Sequence, residues 1–311
     1  MFESHSQNLE DVVLWRALGD IENGTYVDVG AADPDHDSVT KAFYERGWSG
    51  VNVEPAPDHA ARLAAERPRD VLVQECAGEA DGSIVLHHVV GTGLSSVVDD
   101  SVEGLGRTSY EVVDVEVPVR RLDDMLRSVG FEPHQPIHFL KIDVEGFEES
   151  VIRGIELAIW RPWVIVAEST KPRSIEQVHG DWEPLLLDNG YEFCLFDGLN
   201  RFYVAAEHAE LHDVLAFPAG VFDHPFLTPP HAALMREYEN LRTGYERLHA
   251  TYDDAIDSYS RLEEETARLR EEVDPLRIER DAARHQLEDV LQSLSWRVTR
   301  PLRAVRRRIG D

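Results

Sequence analysis

Cysteine is nearly missing from this sequence, with only Cys76 and Cys194 among 311 residues. That leaves neither a disulfide framework nor a cysteine-built zinc site. Lysine is almost as scarce, with three (Lys41, Lys141, Lys171) among 31 basic residues, and 59 acidic residues bring the formal net charge to -28. Phosphate contact relies on clustered Lys and Arg, so a general nucleic-acid binder is excluded. No run of about 18 apolar residues occurs and no basic-then-apolar leader opens the chain, which predicts a cytoplasmic protein without a membrane span.

Glycine is missing where a dinucleotide site needs it. Residues 26–33, YVDVGAAD, read as the first strand and turn of a doubly wound α/β sheet, with the cofactor crevice at the carboxyl ends of the strands. A dinucleotide turn wants G-x-G-x-x-G, and this one has Gly30 alone. It continues into Asp33, Asp35 and Asp37, carboxylates that would repel two phosphates. S-adenosylmethionine (SAM) carries a sulfonium, an ammonium and no phosphate, and suits such a turn. A nicotinamide-dependent oxidoreductase is opposed by the same acids.

The rest of the chain supplies more strands of this kind. Residues 8–19 predict a helix capping the sheet, and Ser38 is placed to cap a helix running through Phe43, Tyr44 and Glu45 to Gly47. The strand 48–55 ends in Glu54, 26 residues past Asp28, where a carboxylate reaches a cofactor ribose. A helix at 58–67, a strand at 70–77 and an alternating strand at 83–90 suggest further parallel βαβ units. The segment 91–96, GTGLSS, predicts a mobile loop near the crevice, or an ordinary surface loop. Strand 137–143 ends in Asp143, followed by Glu145 and Gly146, and strand 163–169 carries Glu168 at its end. Neighbouring parallel strands that finish in acids line up those acids on the ligand edge, where burial is costly without a partner. Residues 191–204 predict a hairpin around Asp197 and Gly198, with Asn200 and Arg201 near its turn.

Taken together, residues 26–31 (YVDVGA), 53–55 (VEP), 117–124 (VPVRRLDD) and 140–148 (LKIDVEGFE) resemble the FkbM family of SAM-dependent methyltransferases, over about residues 8–226. The resemblance implies a Rossmann-like class I methyltransferase domain over 1–230, with a C-terminal antiparallel hairpin. The expected chemistry is methyl transfer to a hydroxyl oxygen of a sugar or glycan in polysaccharide or glycolipid assembly. Cofactor contacts are expected from Asp28, Gly30, Ala31, Asp33, Glu54, Ala77 and Asp143, and acceptor contacts from Lys141, Glu145, Trp182, Asn200 and Arg201. Trp182 is available to stack on a sugar ring or to pack against the hairpin. The hydroxyl proton goes either to a general base, for which His179 is the candidate, or is loosened by Mg²⁺ on Asp143 and Glu168.

From Tyr238 to Leu294 a three-four alternation runs unbroken: Tyr238, Leu241, Tyr245, Leu248, Tyr252, Ala255, Tyr259, Leu262 and onward. A heptad seam of this length predicts a coiled coil over 231–294, kinked or divided near Pro275, and hence a homo-oligomer. Residues 295–311 form a basic amphipathic tail, with six arginines between 297 and 308. Trp296, Leu302, Val305 and Ile309 are placed to enter a lipid headgroup region, giving a peripheral membrane contact, unless the arginines pair with the protein's own acids. A second class of function, a ligand-binding scaffold recruiting partners through its coil, is disfavoured by so many acids at strand ends.

Overall fold

The computed structural model describes residues 2–98, 111–171, 174–223, 226–299 and 303. They form two compact units, Met1–Leu234 and Met235–Asp311. In chain order the strands are β1 (Phe2–Glu3), β2 (Thr25–Val29), β3 (Ser49–Val53), β4 (Val71–Val73), β5 (Cys76–Ala77), β6 (Gly82–Val89), β7 (Val112–Arg120), β8 (Phe139–Ile142), β9 (Val164–Glu168), β10 (Tyr191–Phe196), β11 (Asn200–Ala205) and β12 (Phe226–Leu227). The helices used below are α1 (Glu10–Leu18), α2 (Lys41–Tyr44), α3 (Pro57–Glu66), α4 (Leu122–Ser128), α5 (Glu148–Arg153), α6 (Glu183–Leu187), α7 (His212–Leu215), α8 (Pro229–Gln292) and α9 (Leu294–Val298).

Seven strands make the main sheet in the order β10-β11-β9-β8-β2-β3-β4. The pairs from β9 to β4 are parallel, while β11 is antiparallel to both of its neighbours. Alternation along the central strands feeds two cores. Val27, Leu140 and Ile165 turn to the face covered by α4 and Trp160, whereas Tyr26, Phe139 and Val164 turn to the face covered by α1, Phe43 and Trp48. Burial on both faces explains why these strands read as nearly continuous apolar runs. The hairpin expected at 191–204 is present. Asp197 Oδ1 accepts the N–H groups of Leu199 and Asn200 at 2.8 and 2.7 Å, and Gly198 takes φ +106°.

Three local expectations are corrected. The strand expected at 70–77 divides into β4 in the main sheet and β5 in a separate three-stranded sheet, ordered β5-β7-β6. The strand expected at 83–90 is β6, and it pairs antiparallel with β7 rather than joining the parallel sheet. Only a short turn separates it from β5, too little chain for a parallel crossover, which needs about a dozen residues. Ser38 caps nothing: its hydroxyl accepts from Arg67, a buried guanidinium that also binds Thr40 Oγ1, and α2 spans only Lys41–Tyr44 without a side-chain cap.

The second unit is mostly α8, a helix that begins at Pro229 and whose 64 residues run continuously through Pro275. At the standard rise it is about 96 Å long. Ser293 then caps α9, its hydroxyl accepting the Trp296 N–H, and the Arg303 guanidinium lies 3.5 Å over the Trp296 ring. Leu302, Val305 and Ile309 of the expected tail lie outside the described residues. No helix among the described residues is long and apolar enough to cross a membrane.

Candidate active site

The turn after β2 is fixed by backbone. Gly30 takes φ +81°, and a Cβ there would sit 1.8 Å from the carbonyl oxygen of Asp143. Only glycine lets the turns after β2 and β8 come this close. Glu54, at the end of β3, braces the same turn, since its Oε2 accepts the Ala32 N–H at 2.7 Å and its Oε1 the Ala56 N–H at 2.8 Å. Burial pushes its pKa to about 7 even against those two hydrogen bonds.

Strand register explains the polar row beside it. Asp28 is directly opposite Lys141 across β2 and β8, and Asn200 opposite Glu168 across β11 and β9. By alternation all four share the face of Tyr26 and Phe139, the α1 side. There Glu10, in the first turn of α1, accepts from Asn200 Nδ2 at 2.7 Å, and Thr40 donates to Asp28 at 2.9 Å. Lys141 Nζ reaches Asp143 Oδ2 at 2.7 Å. Burial opposes charge on Lys141, but Asp143, Asp28 and Glu10 together hold it protonated, its pKa raised. Burial works against Asp143 too, yet the lysine keeps its carboxyl below the usual range. Its neighbours move the other way: burial, then the surrounding acids, lift Glu145 to about 8 and Glu168 to about 11, and burial lifts Glu10 to about 7. Asp143 thus stays ionised beside Glu145 and Glu168, which hold their protons.

Two cavities open on this row. The first is lined by Gly30, Val53, Glu54, Cys76, Ala77 and Asp143, among others. The second is lined by Glu10, Asp28, Ala31, Asp33, Asp37, Lys141, Asp143 and Glu145, among others. Gly30, Ala32, His59, Thr92, Gly93 and Asp143 belong to both. The glycine-rich loop at 91–96 therefore does border the crevice. It is tied down there by Ser96, which donates to the Glu145 carbonyl at 2.8 Å.

Every expected cofactor residue (Asp28, Gly30, Ala31, Asp33, Glu54, Ala77, Asp143) lines one or both cavities, as do Lys141 and Glu145. Glu168 lines neither, but it approaches from β9, and Asp143, Glu145 and Glu168 each offer an oxygen within 4.8 Å of the others. Of the two roles open to Trp182 the structure shows packing: it is 2% exposed, in the core against the Tyr203 ring of the hairpin, and is not available to stack on a sugar. Asn200 is fully buried and bound to Glu10, while Arg201 is spent on Glu183, Tyr203 and Gln177, with its guanidinium over Phe193. Neither lines the crevice. His179 is also outside both cavities, its Nε2 3.7 Å from Glu183. The acidic turn is less exposed than its sequence suggests. Asp33 accepts from the Asp35 and His36 N–H groups and from Arg62, Asp35 pairs with Lys41, and only Asp33 and Asp37 face the second cavity. Sequence reasoning missed Glu10 and His59. An acid in a first helical turn resembles an ordinary dipole-favoured residue, and nothing local shows that the helix end faces a site.

A model of the methyltransferase FkbM domain matches residues 28–193, more than half of the chain. The chain belongs to the FkbM methyltransferase family. The matched span runs from Asp28 through Glu168 of β9 to β10 and includes the whole polar row except Glu10 and Asn200. This FkbM methyltransferase is accordingly a SAM-dependent enzyme. Among solved structures it is similar to a TehB-like SAM-dependent methyltransferase from Corynebacterium glutamicum, with 12% identity and a TM-score of 0.35 over 63% of this chain and 87% of that one. No curated protein matches it. The site fits SAM on its own terms. Glu54 lines the first cavity and Asp28, Asp33 and Asp37 line the second, a lining whose chemistry fits ribose hydroxyls and a cationic sulfonium and ammonium.

Proposed function

We propose that this FkbM methyltransferase transfers the methyl group of SAM to a hydroxyl oxygen of a sugar or glycan. The observation carrying this reading is Asp143, an ionised carboxylate on the wall common to both cavities. Bound there, SAM supplies an electrophilic methyl group. Asp143, held charged by Lys141, accepts the hydrogen bond or proton of the incoming hydroxyl. Asp28 and Glu10, across the same cavity, favour the cationic end of the donor. No aromatic ring apart from histidine lines the second cavity among the described residues. Its polar lining suits a hydroxyl-rich acceptor better than a flat aromatic one.

Asp143, Glu145 and Glu168 also fit a hard divalent cation. Their oxygens converge within 4.8 Å, and Glu168 is buried beside the ionised Asp143. Mg²⁺ held by these three would supply Lewis acidity toward the acceptor hydroxyl. The six arginines between 297 and 308 would hold the enzyme at anionic lipid, beside membrane-bound glycan intermediates.

The test is incubation with methyl-labelled SAM and a panel of nucleotide sugars and lipid-linked glycans. The reading expects label in a base-stable methyl ether. Label in a base-labile ester or on nitrogen would oppose it.

A further inference from the structure

Among the described residues the seam of α8 is exposed. Tyr238, Leu241, Tyr245, Leu248, Tyr252 and Tyr259 are each between 59% and 68% exposed, and Leu262, Leu269, Val273 and Leu276 continue the row. We propose that its occupant is a second copy of this chain, and that the two α8 helices form a parallel, in-register, two-stranded coiled coil.

Flanking charges carry the orientation. With Tyr238 at position a, the g positions hold Glu237, Glu265, Glu272 and Glu279, and every charged g residue is glutamate. The e positions hold Arg242, Arg270, Arg277 and Arg284, with Glu263 the one acid. In a parallel coil without stagger, g of one helix faces e of the next heptad in its partner. Glu265 then meets Arg270, Glu272 meets Arg277, and Glu279 meets Arg284. Glu237 meets Arg242 at the start of the seam. The remaining e acid, Glu263, faces Ser258, so no like-charged g–e pair arises anywhere along the coil. An antiparallel pair sets g against g and e against e, which brings glutamate toward glutamate and arginine toward arginine. A shift of one heptad breaks the run at Glu263.

Arg280 fixes register further. It occupies an a position otherwise filled by Tyr, Thr, Val and Leu, and a polar residue at a single a position selects alignment at a cost in stability. In register, each Arg280 lies beside the g-position Glu279 of the other copy, which offsets that cost. Length supports the same occupant, since eight heptads offer far more continuous seam than the three or four that define a coiled coil.

The test uses the full chain. Sedimentation equilibrium should give twice the 35.3 kDa chain mass. Cys76 and Cys194 are buried, so Tyr238→Cys and Leu287→Cys each add one accessible thiol, and each variant alone should oxidise to a same-site disulfide dimer. The triple variant E265R/E272R/E279R should sediment as a monomer with its helicity kept. Mixing it with R270E/R277E/R284E should restore a dimer containing one of each. A monomeric or trimeric wild type, cross-linking only when the two cysteine variants are mixed, or a dimer that ignores the triple charge reversal would each overturn the proposal.

Discussion

The Lys141 ammonium lies 2.7 Å from Oδ2 of Asp143, and Lys141 is the one lysine or arginine lining the second cavity among the described residues. This pairing keeps Asp143 ionised while Glu145 and Glu168 hold their protons. Replacing the lysine by Met leaves Asp28, Glu10 and Asp143 without their cation. Lys141→Met should cost about 3 kcal/mol of stability, read as a lowered urea midpoint at pH 7.5. Methyl transfer should be lost with it. A variant with normal stability and turnover would show that the pair is dispensable.

Gly30 faces the Asp143 carbonyl from the other side. Gly30→Ala places a methyl group 1.8 Å from that oxygen at φ +81°. The backbone alone should cost about 1–2 kcal/mol, and the clash moves the turn that braces Glu54. S-adenosylhomocysteine binding should fall at least tenfold by calorimetry, a larger loss than the melting temperature would suggest.

Glu54 gives the site a pH dependence. Its folded pKa of about 7 lies above the ordinary glutamate value of 4.5, so between those values the folded state binds the extra proton. Its contribution to stability is full below about pH 4.5 and is lost as pH rises through 7. Glu54→Gln should therefore lower the ligand-free protein's stability relative to wild type less at pH 7.5 than at pH 5.5. Ligand affinity runs the other way, because the ionised carboxylate is the better acceptor for ribose hydroxyls. S-adenosylhomocysteine should bind about tenfold more weakly at pH 6 than at pH 8, a dependence that Glu54→Gln should flatten.

Asp143→Asn should lower methyl transfer by about 100-fold or more. Glu168→Gln replaces a group that already holds its proton in the free protein, so the fold should be untouched. With Mg²⁺ bound at these acids, the same substitution and EDTA should each abolish turnover, and added Mg²⁺ should rescue only the chelated wild type. Full activity in Glu168→Gln would remove the metal from the account.

Much of this was legible in the chain because four of the five parallel strands are short, apolar and carry an acid at or next to their carboxyl end. Asp28, Glu54, Asp143 and Glu168 stand at four such ends, and the crevice follows from placing those ends side by side. What was hidden depends on contacts far apart in sequence. Trp182 looks free in a polar loop, yet the core closes over it, and Arg201 is claimed by Glu183 on another element. Glu10 enters the site only because α1 packs across the ends of β2 and β11, linking residues 190 apart. Strand β6 has the alternation of any half-buried strand, and only the shortness of its connection to β5 marks it as leaving the parallel sheet.

The acids of the second cavity suit the cationic donor SAM and reject paired phosphates. Titration calorimetry of the intact protein with S-adenosylhomocysteine and with NAD, with and without Mg²⁺, decides the matter. Saturable binding of S-adenosylhomocysteine and no heat from NAD are expected. Saturable NAD binding without S-adenosylhomocysteine binding would overturn the assignment.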